Sequence, residues 1–264
     1  MSKFYSLFSS SKGNASFIGG PAGGMLVDAG ATCRKLVQSL EAHGLSAEAV
    51  QGICITHTHT DHIKGLRVFL NQHPVPVYGT AETLAQLRAL DKFPQSTDLR
   101  EILPAETIHT DTAAVTAFAT MHDAPGSCGY RFELSDGQTC AVCTDLGCVT
   151  PEVKKGVYGA DLVLLEANYD PNMLRNGPYP EMLQERIRGK YGHLSNGDSA
   201  GMAEALIAHG TTRLILGHLS ENNNTMPLAQ QTVLEHLQEQ GMRRNQDFLL
   251  QVSSPEGLKQ AVIF

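Results

Sequence analysis

The six residues His57-Thr58-His59-Thr60-Asp61-His62 directly follow the apolar run GICIT, and they restrict this chain more than any other segment. A short apolar run reads as a buried strand, so the cluster stands where a strand reaches the rim of a sheet. If the chain stays extended, side chains alternate, which sets His57, His59 and Asp61 on one side and leaves His62 at the following turn. Imidazoles and a carboxylate are the donor set of Zn, Mn or Fe. Four such donors within six residues exceed what one tetrahedral ion takes from one segment. A His-rich polar turn without function is the competing reading, and the density of donors at a strand end weighs against it.

More donors stand at the ends of other apolar runs. Asp28 closes MLVD, His122 follows AVTAFATM, Asp145 closes TCAVCTD and His218 closes LILGH. Ionisable residues at strand ends are expected where a sheet rim carries an active site. Each has an ordinary alternative: Asp28 as a turn cap, His122 as a surface histidine. His109, in the alternating TIHT, is a weaker substitute for His122. His43, His209 and His236 fall in or beside predicted helices and read as surface or packing residues.

Between the donors, KFYSLFS, ASFIGG, GMLVDAG, VPVYG, EILP, TIHT, GYRFEL, DLVLLEANY and DFLLQVS read as further strands. ATCRKLVQSLEAHGL reads as an amphipathic helix with Leu36, Val37 and Leu40 on one face and Gly44 as its stop. KGLRVFLNQH, AETLAQLRAL, PEMLQERIRGKYG, NGDSAGMAEALIAHG and PLAQQTVLEHLQEQGM read as helices. A β-rich half precedes a mixed half, with no repeat and no linker. This pattern predicts an α/β chain, a single domain over 1–264 in which two sheets are covered by helices.

Cys140 and Cys143 form a CxxC, but on the strand TCAVCT residues three apart face opposite ways, so neither a zinc knuckle nor a redox pair is expected. No apolar run approaches the ~20 residues of a membrane span. The start MSKFYSLFSSSKGN lacks the apolar core of a secretory signal, and the six cysteines are expected to stay reduced. The expectation is a cytoplasmic protein with no membrane partner. A formal charge of −7 argues only weakly against a polyanion.

The order Asp28, His57 to His62, His122, Asp145, His218 resembles the five motifs of the metallo-β-lactamase superfamily. FSSSKGNASFI, LVDAG, ITHTHTDHIKGL, MHDAPGSCGYRF, TDLG, LEANYD, YGHLSNGDSA and LGHLSENNN resemble, more narrowly, the YycJ/VicX (WalJ) family of nucleases with that fold, over about residues 8 to 224. The resemblance implies an αββα sandwich with two divalent ions, Zn or Mn. In that scheme His57, His59 and His122 hold one ion, and Asp61, His62 and His218 the other. Asp145 bridges them, Asp61 doubles as a catalytic group, and Asp28 orients the histidine cluster through a hydrogen bond. It implies phosphodiester hydrolysis of nucleic acid, DNA attacked from the 5′ end. An RNA-processing nuclease and a thioester or lactone hydrolase on the same fold are the alternatives. Asp at position 145 disfavours a zinc lactamase, which would carry Cys there.

Glu166 in LLEANYD and His193 in GHLSN resemble the Glu and His of the tRNA-processing nuclease RNase Z, where the pair assists protonation of the leaving oxygen. Imidazole suits that role near neutral pH. A thioester or lactone hydrolase would not need the pair. His193 could instead only precede the Ser195 helix cap, and Glu166 could be an idle sheet-end carboxylate. The basic stretch with Arg175, Arg186, Arg188 and Lys190 could hold phosphates, or could be a solvated helix face balanced by Glu181 and Glu185. Ser11, Asn14, Asn196 and Asn222, in turn-like SSSKGN, LSNG and ENNN, offer donors for a phosphate and join Arg186 as expected substrate contacts.

Overall fold

The computed structural model describes residues 2–20 and 22–264. The chain opens with β1 (Lys3–Ser10), β2 (Gly13–Gly20) and β3 (Gly23–Val27), a meander of antiparallel pairs. A crossover through α1 (Cys33–Ala42) then leads to β4 (Val50–Cys54), parallel to β3. Thr32 caps α1 by accepting from the Lys35 amide, Leu36 and Leu40 bury its inner face, and Gly44 leaves the helix with φ 74°. After β4 come α2 (Thr60–Ile63), α3 (Leu66–Gln72), β5 (Val77–Gly79), α4 (Ala81–Ala89) and β6 (Leu99–Glu101). Strands β4, β5 and β6 are parallel, and β14 (Val262–Ile263) closes the other edge of this seven-stranded sheet against β1.

The second sheet repeats this plan. Its antiparallel part is β7 (Thr107–His109), β8 (Ala113–Ala119), β9 (Cys128–Leu134) and β10 (Thr139–Cys143). α5 (Pro151–Val157) crosses over to β11 (Leu162–Glu166). α6 (Pro171–Asn176), α7 (Glu181–Arg188) and α8 (Asn196–Ala208) lead to β12 (Arg213–Gly217), and α9 (Met226–Glu239) leads to β13 (Leu249–Val252). Strands β10 to β13 are parallel. The expected αββα sandwich is thus what the chain forms.

Three apolar layers hold it together. Phe4, Ile18, Met25 and Val27 of the first sheet meet Val115, Tyr130, Phe132 and Leu164 of the second. Leu36, Leu40, Leu66 and Phe69 seal helices onto the outer face of the first sheet, and Val153, Val157, Leu206 and Val233 do so for the second. Cys140 lies in the layer between sheets and Cys143 in the outer layer, as strand alternation requires. All six cysteines are free.

The layout also sets the site. β3 and β4 are parallel, as are β10, β11 and β12, and β8 runs with β10 because both are antiparallel to β9. The carboxyl ends of these strands therefore share a rim, where open α/β sheets bind ligands. Three helices were not expected. α5 starts at Thr150-Pro151 and α6 at Asp170-Pro171, both capped by the preceding side chain with Pro in the first turn. α2 converts Thr60–Ile63 into a helical turn, so the predicted extended course ends at His59. Asp61 gains from lying in that first turn, where the helix dipole favours a carboxylate.

Candidate metal centre

Three donors sit directly at strand ends in strained backbone. Asp28 follows β3, Asp145 lies two residues beyond β10 and His218 follows β12, with φ of 61°, 60° and 54°. Left-handed backbone costs a residue with a Cβ about 1 kcal/mol or more and gathers at functional sites. It turns the side chain off the strand toward the rim. Gly30 is equally constrained: a Cβ there would stand 1.6 Å from the Asp61 carbonyl oxygen, so only glycine lets α2 lie against the loop after β3.

The donors converge as two triads. His57 Nε2, His59 Nδ1 and His122 Nε2 form the first, with His59 Nδ1 3.1 Å from His57 Nε2 and 3.3 Å from His122 Nε2. Asp61, His62 and His218 form the second, with Asp61 Oδ2 3.4 Å from His62 Nε2 and 3.7 Å from His218 Nε2. Asp145 stands between them: Oδ1 is 3.7 Å from His122 Nε2 and Oδ2 is 3.4 Å from His62 Nε2.

Hydrogen bonds behind the rings decide which nitrogen each presents. His62 Nδ1 donates to Asp28 Oδ2 at 2.8 Å, His122 Nδ1 to the Gly192 carbonyl at 3.0 Å, and His218 Nδ1 to Glu166 Oε1 at 2.8 Å. Each bond ties the proton to Nδ1 and leaves the Nε2 lone pair facing the site, the usual support of a metal-binding imidazole. Asp28 is itself fixed by the amide and hydroxyl of Thr56, both at 2.8 Å.

Burial disfavours charge on Asp61, Asp145 and Glu166, yet neighbouring imidazoles hold all three carboxyls below the ordinary range. Burial lowers His57 and His59. Burial also opposes charge on His62 and His218, but there the carboxylates prevail, raising His62 and bringing His218 to about 10. Ionised carboxylates facing imidazoles form a set in which a cation can replace protons. Two buried atoms point to such a cation. Asp145 Oδ2 and His218 Nε2 have no hydrogen-bond partner among the described residues, a costly arrangement unless something else binds them. The residues therefore fit divalent metal.

His193 belongs to neither triad, although its donor atom also clusters with those of Asp145, Glu166 and His218. Its Nδ1 donates to Glu166 Oε1 at 2.8 Å, its ring centre is 5.0 Å from that of His122 and 5.3 Å from that of His218, and its side chain is 20% exposed. Glu166 is fully buried, and its Oε2 accepts from the amides of Leu146 and Leu194. One carboxylate thus orients both a member of the second triad and a spare imidazole, a double role the sequence did not reveal.

The expected substrate contacts divide. Ser11 and Asn222 are exposed in turns near the rim, with Asn222 bonded to the Tyr179 hydroxyl. Arg186 is exposed on α7 and paired with Asp123. Asn14 and Asn196 are corrections. Asn14 is buried, bonds the Ser10 carbonyl and lies 3.1 Å from Asp61 Oδ2, so it holds a carboxylate of the second triad. Asn196 is fully buried in a reciprocal amide pair with Asn224. His109 is exposed on β7, outside the cluster. Asp123 was missed: its carboxylate faces His59 Nε2 at 3.5 Å and His122 Nε2 at 3.4 Å. Its place directly after His122 was the available signal.

The sandwich and its rim of imidazoles and carboxylates define a metallo-β-lactamase-fold protein, and the chain belongs to the β-lactamase superfamily, whose domain matches residues 25–219. Two relatives illustrate the similarity. It is 32% identical to Exodeoxyribonuclease YycJ of Bacillus anthracis over 255 residues, 96% of both chains. It is 32% identical to Exodeoxyribonuclease WalJ of Streptococcus pneumoniae over 257 residues, 96% of this chain and 95% of that one. Among solved structures, Zn-bound PqqB from Methylobacterium extorquens superposes with a TM-score of 0.71 at 18% identity over the whole of both chains, a likeness of fold.

Proposed function

We propose that this chain is a metal-dependent exodeoxyribonuclease that removes nucleotides from the 5′ end of DNA. The observation that carries phosphodiester chemistry is His193, an imidazole outside both triads, held by Glu166 at the edge of the site. The relatives named exodeoxyribonuclease, similar over almost their full length, support DNA as the substrate. Six free cysteines support a cytoplasmic setting.

In this reading two divalent ions, Zn or Mn, would be held by His57, His59 and His122 and by Asp61, His62 and His218, with Asp145 within reach of both sets. When bound, such ions lower the pKa of water and stabilise charge on phosphoryl oxygens. The protein's own groups do the rest. Asp28 and Glu166 keep His62 and His218 in the tautomer that presents Nε2. Asn14 steadies Asp61, and Asp123 faces the outer nitrogen of His59. Because Glu166 accepts the Nδ1 proton of His193, proton exchange with substrate falls to Nε2. As the bond between phosphorus and the leaving sugar oxygen breaks, His193 Nε2 delivers its proton to that oxygen.

The test is incubation of purified protein with 5′- and 3′-labelled duplex DNA, single-stranded DNA and RNA, with Mn or Zn. Release of labelled nucleotide from the 5′ end of DNA is expected. Intact DNA alongside turnover of a thioester or lactone would overturn the reading, and cleavage of RNA alone would reassign the substrate.

A further inference from the structure

A cavity of about 650 Å³ opens where the loop after Asp145 packs on the loop before His193. Gly147 and Cys148 line one wall, Arg188 and Lys190 another, and Lys154 reaches in from α5. Gly147 is two residues from Asp145, its Cα within about 7 Å of that of Asp145 by chain reach, and Leu194, in the floor, directly follows His193. Three cations face one carboxylate there, Asp198, which is occupied in a capping box with Ser195. Lys154, Arg188 and Lys190 have no carboxylate partner among the described residues. Lys190 also lies over the Tyr191 ring at 5.0 Å, and cations without a carboxylate partner gathered around a concave surface serve an anion better than they serve stability. The floor is apolar, with Leu194 and Met202 buried, and the volume lies within the range of small-ligand pockets.

We propose that this cavity is a nucleotide subsite, in which Lys154, Arg188 and Lys190 hold a backbone phosphate of the substrate strand and the apolar floor receives its sugar or base. The proposal rests on the nuclease reading. The subsite flanks the scissile bond, so it sets the register of the strand while His193 and the triads act on the neighbouring phosphate.

The experiment compares metal-loaded wild type, a Lys154→Gln/Arg188→Gln/Lys190→Gln variant and a control, Lys3→Gln/Arg213→Gln/Lys259→Gln. Lys3 and Arg213 begin β1 and β12, on the rim opposite the site. Each protein is assayed for kcat/KM on single-stranded DNA across a salt series and on a small aryl phosphodiester. Loss of one or two phosphate contacts should flatten the slope of log kcat/KM against log salt by roughly 0.7–1.4. It should raise KM for DNA and leave the small substrate unaffected. An unchanged slope in the cavity variant, or an equal change in the control, overturns the subsite. Wild type that turns over the aryl phosphodiester but no DNA refutes the nuclease reading itself, and the subsite with it.

Discussion

Glu166→Gln is the substitution whose consequences the structure defines most fully. The carboxylate is fully buried and accepts four bonds: His193 Nδ1 and His218 Nδ1 at Oε1, and the amides of Leu146 and Leu194 at Oε2. Glutamine matches its shape but has one acceptor oxygen. If that oxygen serves the imidazoles, the NH₂ faces two backbone N–H groups, and two buried donors lose their partner at about 1–3 kcal/mol each. If the amide turns round, both imidazoles must carry their proton on Nε2, and His218 can no longer offer that nitrogen to a metal. The first outcome predicts a loss of roughly 2–6 kcal/mol in stability. The second predicts roughly 10–100-fold weaker metal binding. The second also takes from His193 the acceptor that orients it, so kcat/KM on DNA should then fall roughly 10²–10⁴-fold. Urea melts, metal retention against a chelator and turnover of 5′-labelled DNA read the three effects. A variant with wild-type stability, metal affinity and turnover would refute the claim that one carboxylate serves both imidazoles.

His193→Ala should retain metal yet lose roughly 10²–10⁴-fold on DNA. An activated aryl phosphodiester, whose leaving group needs little protonation, should be hydrolysed with much less loss; equal loss on both would remove the acid role. His59→Ala breaks the first triad and should lose metal and activity together, as metal analysis after gel filtration will show. Burial pushes the thiols of Cys54, Cys128, Cys140 and Cys143 up, Cys128 to about 12. A thiol reagent near neutral pH should therefore modify Cys148 in the folded protein and all six cysteines after denaturation. Because these folded values are raised, their contribution to stability is complete below the unfolded thiol value of about 8.5 and is lost as pH rises toward 12. Calorimetry should show Tm falling above about pH 9, and a flat profile would contradict the burial argument.

The donors were legible because apolar runs such as GICIT, TCAVC and RLILG end abruptly in ionisable residues, and burial of the run forces its end to the rim. The helical turn of α2 was not, because contacts from the loop after β3 override the alternation of HTHTDH: the Ala29 amide bonds the His62 carbonyl, and the Gly65 amide bonds the Ala29 carbonyl. Nor did the sequence show the left-handed backbone at Asp28, Asp145 and His218, since tertiary structure alone compensates its strain. Asn14 and Asn196 misled because an amide in a turn looks the same whether it faces solvent or closes a buried network. The second partner of Glu166 escaped for a related reason: Glu166 of β11 and Gly217 of β12 are 51 residues apart in the chain, with three helices between them, and only the parallel pairing of the two strands sets the carboxylate behind His218.

The central claim is that two triads sharing Asp145 form one dinuclear centre. Anomalous diffraction from crystals of the Mn- or Zn-loaded protein tests it most directly. Two peaks about 3.5–4 Å apart are expected, one among His57, His59 and His122, the other among Asp61, His62 and His218, with Asp145 contacting both. A single fully occupied peak, or two peaks with the Asp145 carboxylate turned away from either, would contradict it.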